Sequence, residues 1–325
     1  MRISTTLYSQ FLVASEGNVT ATRAEDVLQS PGLHDKITRW LAGAKLTPGK
    51  LFEQVSKMVN IHGGWLILDD SVLDKPFGPE IGLAYWQYSG RHHKPIHGIG
   101  LLTLIWTNGI IAVPINYRIY DKKIDKKTKH IHARELLIWA KAKGFTPSDV
   151  LMDAWYTACE TLRLIQRFDW TWIAEVRSNR NVITPSGARL HLKDLALREN
   201  GGTVFLKDVG YVRVAKSVTQ QNGCVRYLCS NNLCLADLGL AYARRWEIEE
   251  YHREIKQVTK ISACQARRSR SQRNHIFCSL LAYTALQLNK FTTGLTSYKT
   301  KMAILAPAIK QYLTAPTIPM FYENA

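Results

Sequence analysis

The chain reads as an α/β protein in which a mixed sheet is flanked by helices, interrupted by a β-rich insertion and bracketed by helical segments. Three observations predict this. Short apolar runs of strand length recur between residues 65 and 176 and alternate with amphipathic helical stretches. A second set of short alternating runs, separated by glycine-containing turns, occupies about residues 179–235. Both ends of the chain carry helical periodicity.

Composition sets the frame. The 325 residues are 46% hydrophobic and 21% charged, which describes a folded globular protein rather than a disordered one. Lys and Arg number 43 against 26 Asp and Glu, a net charge of +17. So large an excess suits a polyanionic partner, nucleic acid before an anionic membrane surface. The six cysteines form no C-x-x-C pair and lack a histidine at zinc-finger spacing, so reduced thiols are expected. Residues 1–15 lack the apolar core of a signal peptide.

Residues 1–60 form a helical N-terminal region, with Ser30-Pro31-Gly32 and Thr47-Pro48-Gly49 as helix-start signals. A core of residues 61–290 follows. Its first strand, Trp65-Leu66-Ile67-Leu68, runs into Asp69 and Asp70. Adjacent strand residues face opposite sides, so the two carboxylates cannot share a site, and alternation alone does not choose between them. A polar excursion containing Arg91, His92, His93 and Lys94 comes next. The apolar stretch 97–115 approaches the length of a membrane helix, but Asn108-Gly109 at its middle predicts a hairpin of two buried strands, about 98–106 and 110–120.

A basic loop with Lys122, Lys123, Lys126, Lys127 and Lys129 leads to a helix ending at Gly144. His130 and His132 within it are expected in solvent. The strand Val150-Leu151-Met152 then delivers Asp153 to the mouth of another helix, as either a helix cap or a functional acid. A fifth strand follows at 170–178. After the insertion, the run Tyr242–Lys256 places Tyr242, Arg245, Glu249 and Lys256 within a sector of roughly 60° if it forms one α-helix. One carboxylate among two cations and a phenol suits a phosphodiester held beside a metal ion. Arg267, Arg268, Arg270 and Arg273 precede an apolar core helix, and residues 291–325 form a helical tail.

The spacing Tyr-x2-Arg-x3-Glu-x6-Lys at 242–256 resembles the signature around the last catalytic acid of DDE transposases of the insertion-sequence-four type. The order of three strands, helix, strand, helix and strand is that of the ribonuclease-H-like core, whose first and fourth strands lie side by side. The resemblance implies a triad of Asp70, Asp153 and Glu249. Asp70 is preferred over Asp69 because the first acid in that group is followed by Thr or Ser, and Ser71 follows Asp70. It implies Tyr242, Arg245, Lys256, Lys127 and Lys129 as DNA contacts. Two Mg²⁺ ions are implied, replaceable by Mn²⁺, since all-oxygen ligands suit hard cations. The implied substrate is double-stranded DNA, both element ends and target, handled by a homodimer in a bacterial, nucleoid-associated cytoplasmic setting without a membrane. The expected activity is metal-dependent cleavage at element ends followed by 3′-hydroxyl strand transfer. A metal-dependent nuclease of the same fold and a non-catalytic DNA-binding descendant are the alternatives.

Overall fold

The computed structural model describes residues 1–90, 92–197, 201–218 and 223–317; Arg91 and Asn222 of the expected excursion and turn lie outside them, as do residues 318–325. Four helices come first: α1 (Thr5–Ala14), α2 (Ala21–Leu28), α3 (Leu33–Gly43) and α4 (Pro48–Val55). Thr47 caps α4, its hydroxyl accepting from the Lys50 amide at 3.3 Å, with Pro48 in the first turn where a missing N–H costs nothing.

The sheet begins with β1 (Trp65–Asp74) and β2 (Tyr85–Ser89), and continues with β3 (Lys94–Thr107) and β4 (Ala112–Tyr120). The hairpin between β3 and β4 turns at Asn108-Gly109 as expected. Gly109 adopts φ +86°, and Asn108 Oδ1 accepts from the amides of Ile110 and Ile111. The short helix α5 (Lys122–Asp125) and helix α6 (Lys129–Ala142) precede β5 (Asp149–Met152), and α7 (Cys159–Arg167) precedes β6 (Trp172–Val176). β1 pairs antiparallel with β3 and parallel with β5, which pairs parallel with β6. With β4 on the far side of β3, the order β4-β3-β1-β5-β6 is the ribonuclease-H-like mixed sheet.

The β-rich segment comprises β7 (Asn181–Ile183), β8 (Arg189–His191), β9 (Gly202–Leu206), β10 (Gly210–Val218) and β11 (Val225–Ser230). It does not fold apart from the core. β11 pairs antiparallel with β6 and β10 with β11, so the strands extend the same sheet beyond β6. Two helices follow, α8 (Leu238–Ala243) and α9 (Trp246–Gln257), then α10 (Ser269–Thr293) and α11 (Ser297–Thr314). Helices α9 and α10 cover one face of the sheet and touch each other through Tyr251 and Tyr283, ring centroids 5.1 Å apart. Helices α6 and α7 lie on the opposite face.

The N-terminal helices share the core with the sheet: Tyr8, Leu12, Leu33 and Leu51 are buried in the same apolar cluster as Leu66 and Ile67. Buried polar groups lock α1 to α10. Tyr8 Oη lies 2.9 Å from His275 Nδ1, and His275 Nε2 lies 3.0 Å from the Lys260 carbonyl, which assigns the proton to Nε2 and leaves Nδ1 to accept from the tyrosine. Burial holds the His275 pKa down at about 4. The unfolded chain takes up this proton from about pH 6.5 downward, whereas the native state resists until about 4, so acidification through that window destabilises the fold. Unfolding free energy measured by urea titration is expected to fall between pH 7 and pH 5. In His275→Gln, whose baseline stability is lower, that pH slope is expected to shrink.

Candidate active site

Register decides which carboxylates meet. Cross-strand partners share a face, and β1 pairs Asp69 with Thr103 and Asp70 with Leu102. Thr103 Oγ1 receives a hydrogen bond from Tyr251 of α9 at 3.2 Å, so Asp69 shares the α9 face and Asp70 looks the other way. In the parallel register with β5, Leu68 lies opposite Met152. The next residues, Asp69 within β1 and Asp153 just past the end of β5, are therefore neighbours.

On the α9 face, Arg245 joins two acids. Its Nη2 lies 2.8 Å from Asp69 Oδ2 and its Nη1 lies 3.1 Å from Glu249 Oε1. Asp69 is buried, and its pKa is raised well above the carboxylate range by burial, partly opposed by Arg245 and reinforced by Asp153, Asp70 and Glu249. Asp153 is raised too, by burial first, then opposed by Arg245 and reinforced by Asp70. It also caps the single turn Ala154–Tyr156, its Oδ1 accepting the Trp155 amide at 3.0 Å. The cap reading is corrected in its place: Asp153 caps this short turn, whereas α7 starts behind Ala158 with no side-chain cap. Glu249 is exposed.

Asp70 has a different environment. Lys129 Nζ lies 2.6 Å from its Oδ2, and Tyr156 donates its hydroxyl to Oδ1 at 2.5 Å. The Asp70 carboxylate is therefore satisfied by α6 and by the turn after β5, on the face away from the signature helix. The expectation that Asp70 meets Glu249 fails on strand alternation, and the residue that meets it through Arg245 is Asp69.

The expected DNA contacts are redistributed in the same way. Residues 242–256 form two helices rather than one, because Arg245, Glu247 and Ile248 take tight bonds to the carbonyls three residues back. Tyr242, at the end of α8, is buried and donates to the Met152 carbonyl at 3.2 Å, steadying the end of β5 just before Asp153. Arg245 is spent on Asp69 and Glu249. Lys256 is half-buried in the last turn of α9. Lys129 is not in a loop: it opens α6 behind Thr128, whose hydroxyl caps the helix, and it is held by Asp70. Lys127 lies 2.5 Å from Glu135.

The two histidines expected in solvent are both engaged. His132 is buried with Nε2 3.3 Å from Asp125, and His130 stacks on Trp155. Sequence reading also missed His252, one α-helical turn beyond Ile248. It is buried, its Nε2 lies 3.9 Å from Asp69 Oδ2, neither ring nitrogen has a hydrogen-bond partner, and burial lowers its pKa to about 3. Its neutral, unpartnered ring nitrogens lie beside the least solvated acid of the site. A helical wheel beginning at Glu249 could have brought it to notice, since it lies three residues on.

The chemistry of this donor set fits a cation. The guanidinium of Arg245 stands as a positive charge between two carboxylates, with a third beside them and an orphaned imidazole next to Asp69. Among the described residues no three acid, histidine or cysteine side chains close up into a ready-made metal cage.

The family described as Transposase DDE domain matches residues 65–285, from the first residue of β1 into α10. The chain belongs to the DDE transposase family. The match spans β1, β5 and α9, the elements that carry the acids of the site. Members of this family act on DNA, and their chemistry generally depends on divalent metal. A search of curated proteins finds no match. Among solved structures, the chain is similar to the piggyBac transposase in its synaptic complex with hairpin DNA, with 16% identity, a TM-score of 0.49, and coverage of 98% of this chain and 76% of that one. No helix among the described residues is long and apolar enough to cross a membrane.

Proposed function

We propose that this transposase is of the insertion-sequence-four type, cleaving DNA at element ends and transferring the freed 3′-hydroxyl into target DNA, with Asp69, Asp153 and Glu249 as its metal-binding carboxylates. One observation carries the assignment: Arg245 gathers Asp69 and Glu249 on the face where β1 and β5 bring Asp69 beside Asp153. Divalent ions held there, Mg²⁺ or Mn²⁺, supply activation of the attacking oxygen and neutralisation of the leaving one.

The chain's own residues do the rest. Arg245 opposes the burial and, after it, the neighbouring acids that raise the pKa of Asp69. The Tyr156–Asp70–Lys129 network holds the turn that carries Asp153 against β1 and α6, so Asp70 is a positioning residue one side chain removed from the chemistry. The basic excess of the chain binds the phosphate backbone without reference to sequence. Two copies are expected on DNA, one for each element end, and native mass spectrometry of the DNA complex checks this.

The deciding experiment incubates the chain with a pre-cut duplex ending in the terminal repeat that flanks its gene, a target plasmid and Mg²⁺. Joined products support the proposal. Cutting without joining identifies a nuclease of the same fold, and binding alone identifies a non-catalytic descendant. Lys256→Ala is expected to weaken DNA binding and flatten the log-log salt dependence by about one unit, as one lost phosphate contact does. An unchanged slope removes Lys256 from the DNA interface.

A further inference from the structure

His252 lies one turn beyond Glu249 on α9, on the stripe that also carries Arg245 at the head of the helix. It is buried, and the Tyr251 ring packs against it with centroids 5.1 Å apart. Neither of its ring nitrogens has a hydrogen-bond partner among the described residues. A polar ring orphaned in the interior is a standing cost, so its retention calls for a state of the site in which it is paired. Its Nε2 lies 3.9 Å from Asp69 Oδ2, about 1 Å too far for a hydrogen bond.

Asp69 is held here from two other sides. Its Oδ1 accepts the Asp70 amide and its Oδ2 accepts Arg245 Nη2, each at 2.8 Å. The backbone bond can persist with a cation on the carboxylate. The guanidinium bond is in competition with one: Arg245 also reaches Glu249, so it draws on the same two acids as a divalent cation and repels that cation at close range. Loss of Arg245 from Oδ2 leaves the carboxylate to be oriented by another donor. A neutral imidazole N–H does this without setting a second positive charge against the metal.

We propose that His252 is a positioning residue of the metal-bound site: as Arg245 gives way, the His252 Nε2–H closes on Asp69 Oδ2 and fixes that carboxylate towards the cation. The inference rests on the function proposed above and assigns a role to a residue outside its three acids.

The affinity of the full chain for Mn²⁺ tests this, with free ion counted by electron paramagnetic resonance in the presence of the pre-cut duplex. Asp69→Asn supplies the background from the duplex and the remaining acids. His252→Phe, which keeps a ring but has no N–H, is expected to weaken the Asp69-dependent binding about tenfold or more. His252→Gln, whose amide nitrogen stands where Nε2 stood, should restore most of it. Stability of His252→Phe in urea should match or exceed that of the parent, because the orphaned nitrogens are gone.

Parental Mn²⁺ affinity in His252→Phe overturns the proposal and leaves a purely structural imidazole, with the proposed function still standing. A loss that His252→Gln shares in full overturns it as well. So does a nitrogen coupling to Mn²⁺ in pulsed spectra of the parent, which makes His252 a ligand. Should His252→Phe fail to fold, nuclear magnetic resonance of the parent complex with its histidine ring nitrogens labelled decides the matter. Mg²⁺ should then bring out a hydrogen-bonded ring N–H signal that His252→Gln lacks, and an unchanged spectrum overturns the proposal. Absence of Asp69-dependent Mn²⁺ binding in the parent defeats the proposed function and this inference with it.

Discussion

Asp69→Asn is expected to abolish Mg²⁺-dependent DNA cleavage, while Asp70→Asn keeps it within about tenfold of the parent. The first change removes a charged oxygen donor from the face shared with Glu249. Charge stabilisation of several kcal/mol at the reacting phosphate corresponds to a rate loss of about a thousandfold or more. The second change loosens the Lys129 and Tyr156 contacts, which position the turn bearing Asp153 without reaching the substrate. Its main cost is stability, about 1.5–3 kcal/mol for hydrogen bonds to a charged group. Because Asp69 also pairs with Arg245, Asp153→Asn provides a second variant free of that ion pair. It too should stop cleavage while metal-free DNA binding holds. Cleavage that survives in Asp69→Asn and disappears in Asp70→Asn would show that the catalytic face of β1 is the one turned towards α6.

The second large effect falls on stability. Arg245→Ala leaves the buried Asp69 without its partner, and breaking a buried pair from one side costs up to about 3–5 kcal/mol, relieved in part as the raised pKa of Asp69 lets it take up a proton. The relevant side chains are 15% and 11% exposed, so solvent does little to relieve the loss. The double variant Arg245→Ala with Asp69→Asn should recover much of it, since the uncompensated charge is then gone. Arg245→Lys should recover little, because a point charge cannot reach Asp69 and Glu249 together as the guanidinium fork does. Urea unfolding of the four proteins checks this series. The log-log salt slope of DNA binding should be unchanged in Arg245→Ala. A stable Arg245→Ala with a flattened slope would make the arginine a phosphate contact, as its place in the signature implies.

The route from sequence to site was most direct where one element sufficed. Strand order, the Asn108-Gly109 hairpin and the Thr47-Pro48 helix start are local signals, and each appears where the residues put it. The position of Asp153 just past the end of a strand was legible for the same reason, since a buried apolar run that stops at an acid marks its own end. The family was legible because the order of residues 242–256 survives whether they form one helix or two.

What the sequence determined by itself was an inventory: the strands, the helices, the acids and a basic excess of +17 suited to DNA. Which carboxylate of the Asp69-Asp70 pair faces α9 was left to tertiary structure, because alternation separates the two without saying which side a helix some 180 residues later will cover. The Tyr251–Thr103 bond answers that, and Arg245 then selects Asp69. The partners of the cations were equally nonlocal. Lys129 reaches Asp70 across 59 positions and Arg245 reaches Asp69 across 176, so cations that read as phosphate contacts in sequence are internal ion pairs in the fold. Burial is the physical reason: a charge withdrawn from water must find its opposite, and only the folded chain decides which one is within reach.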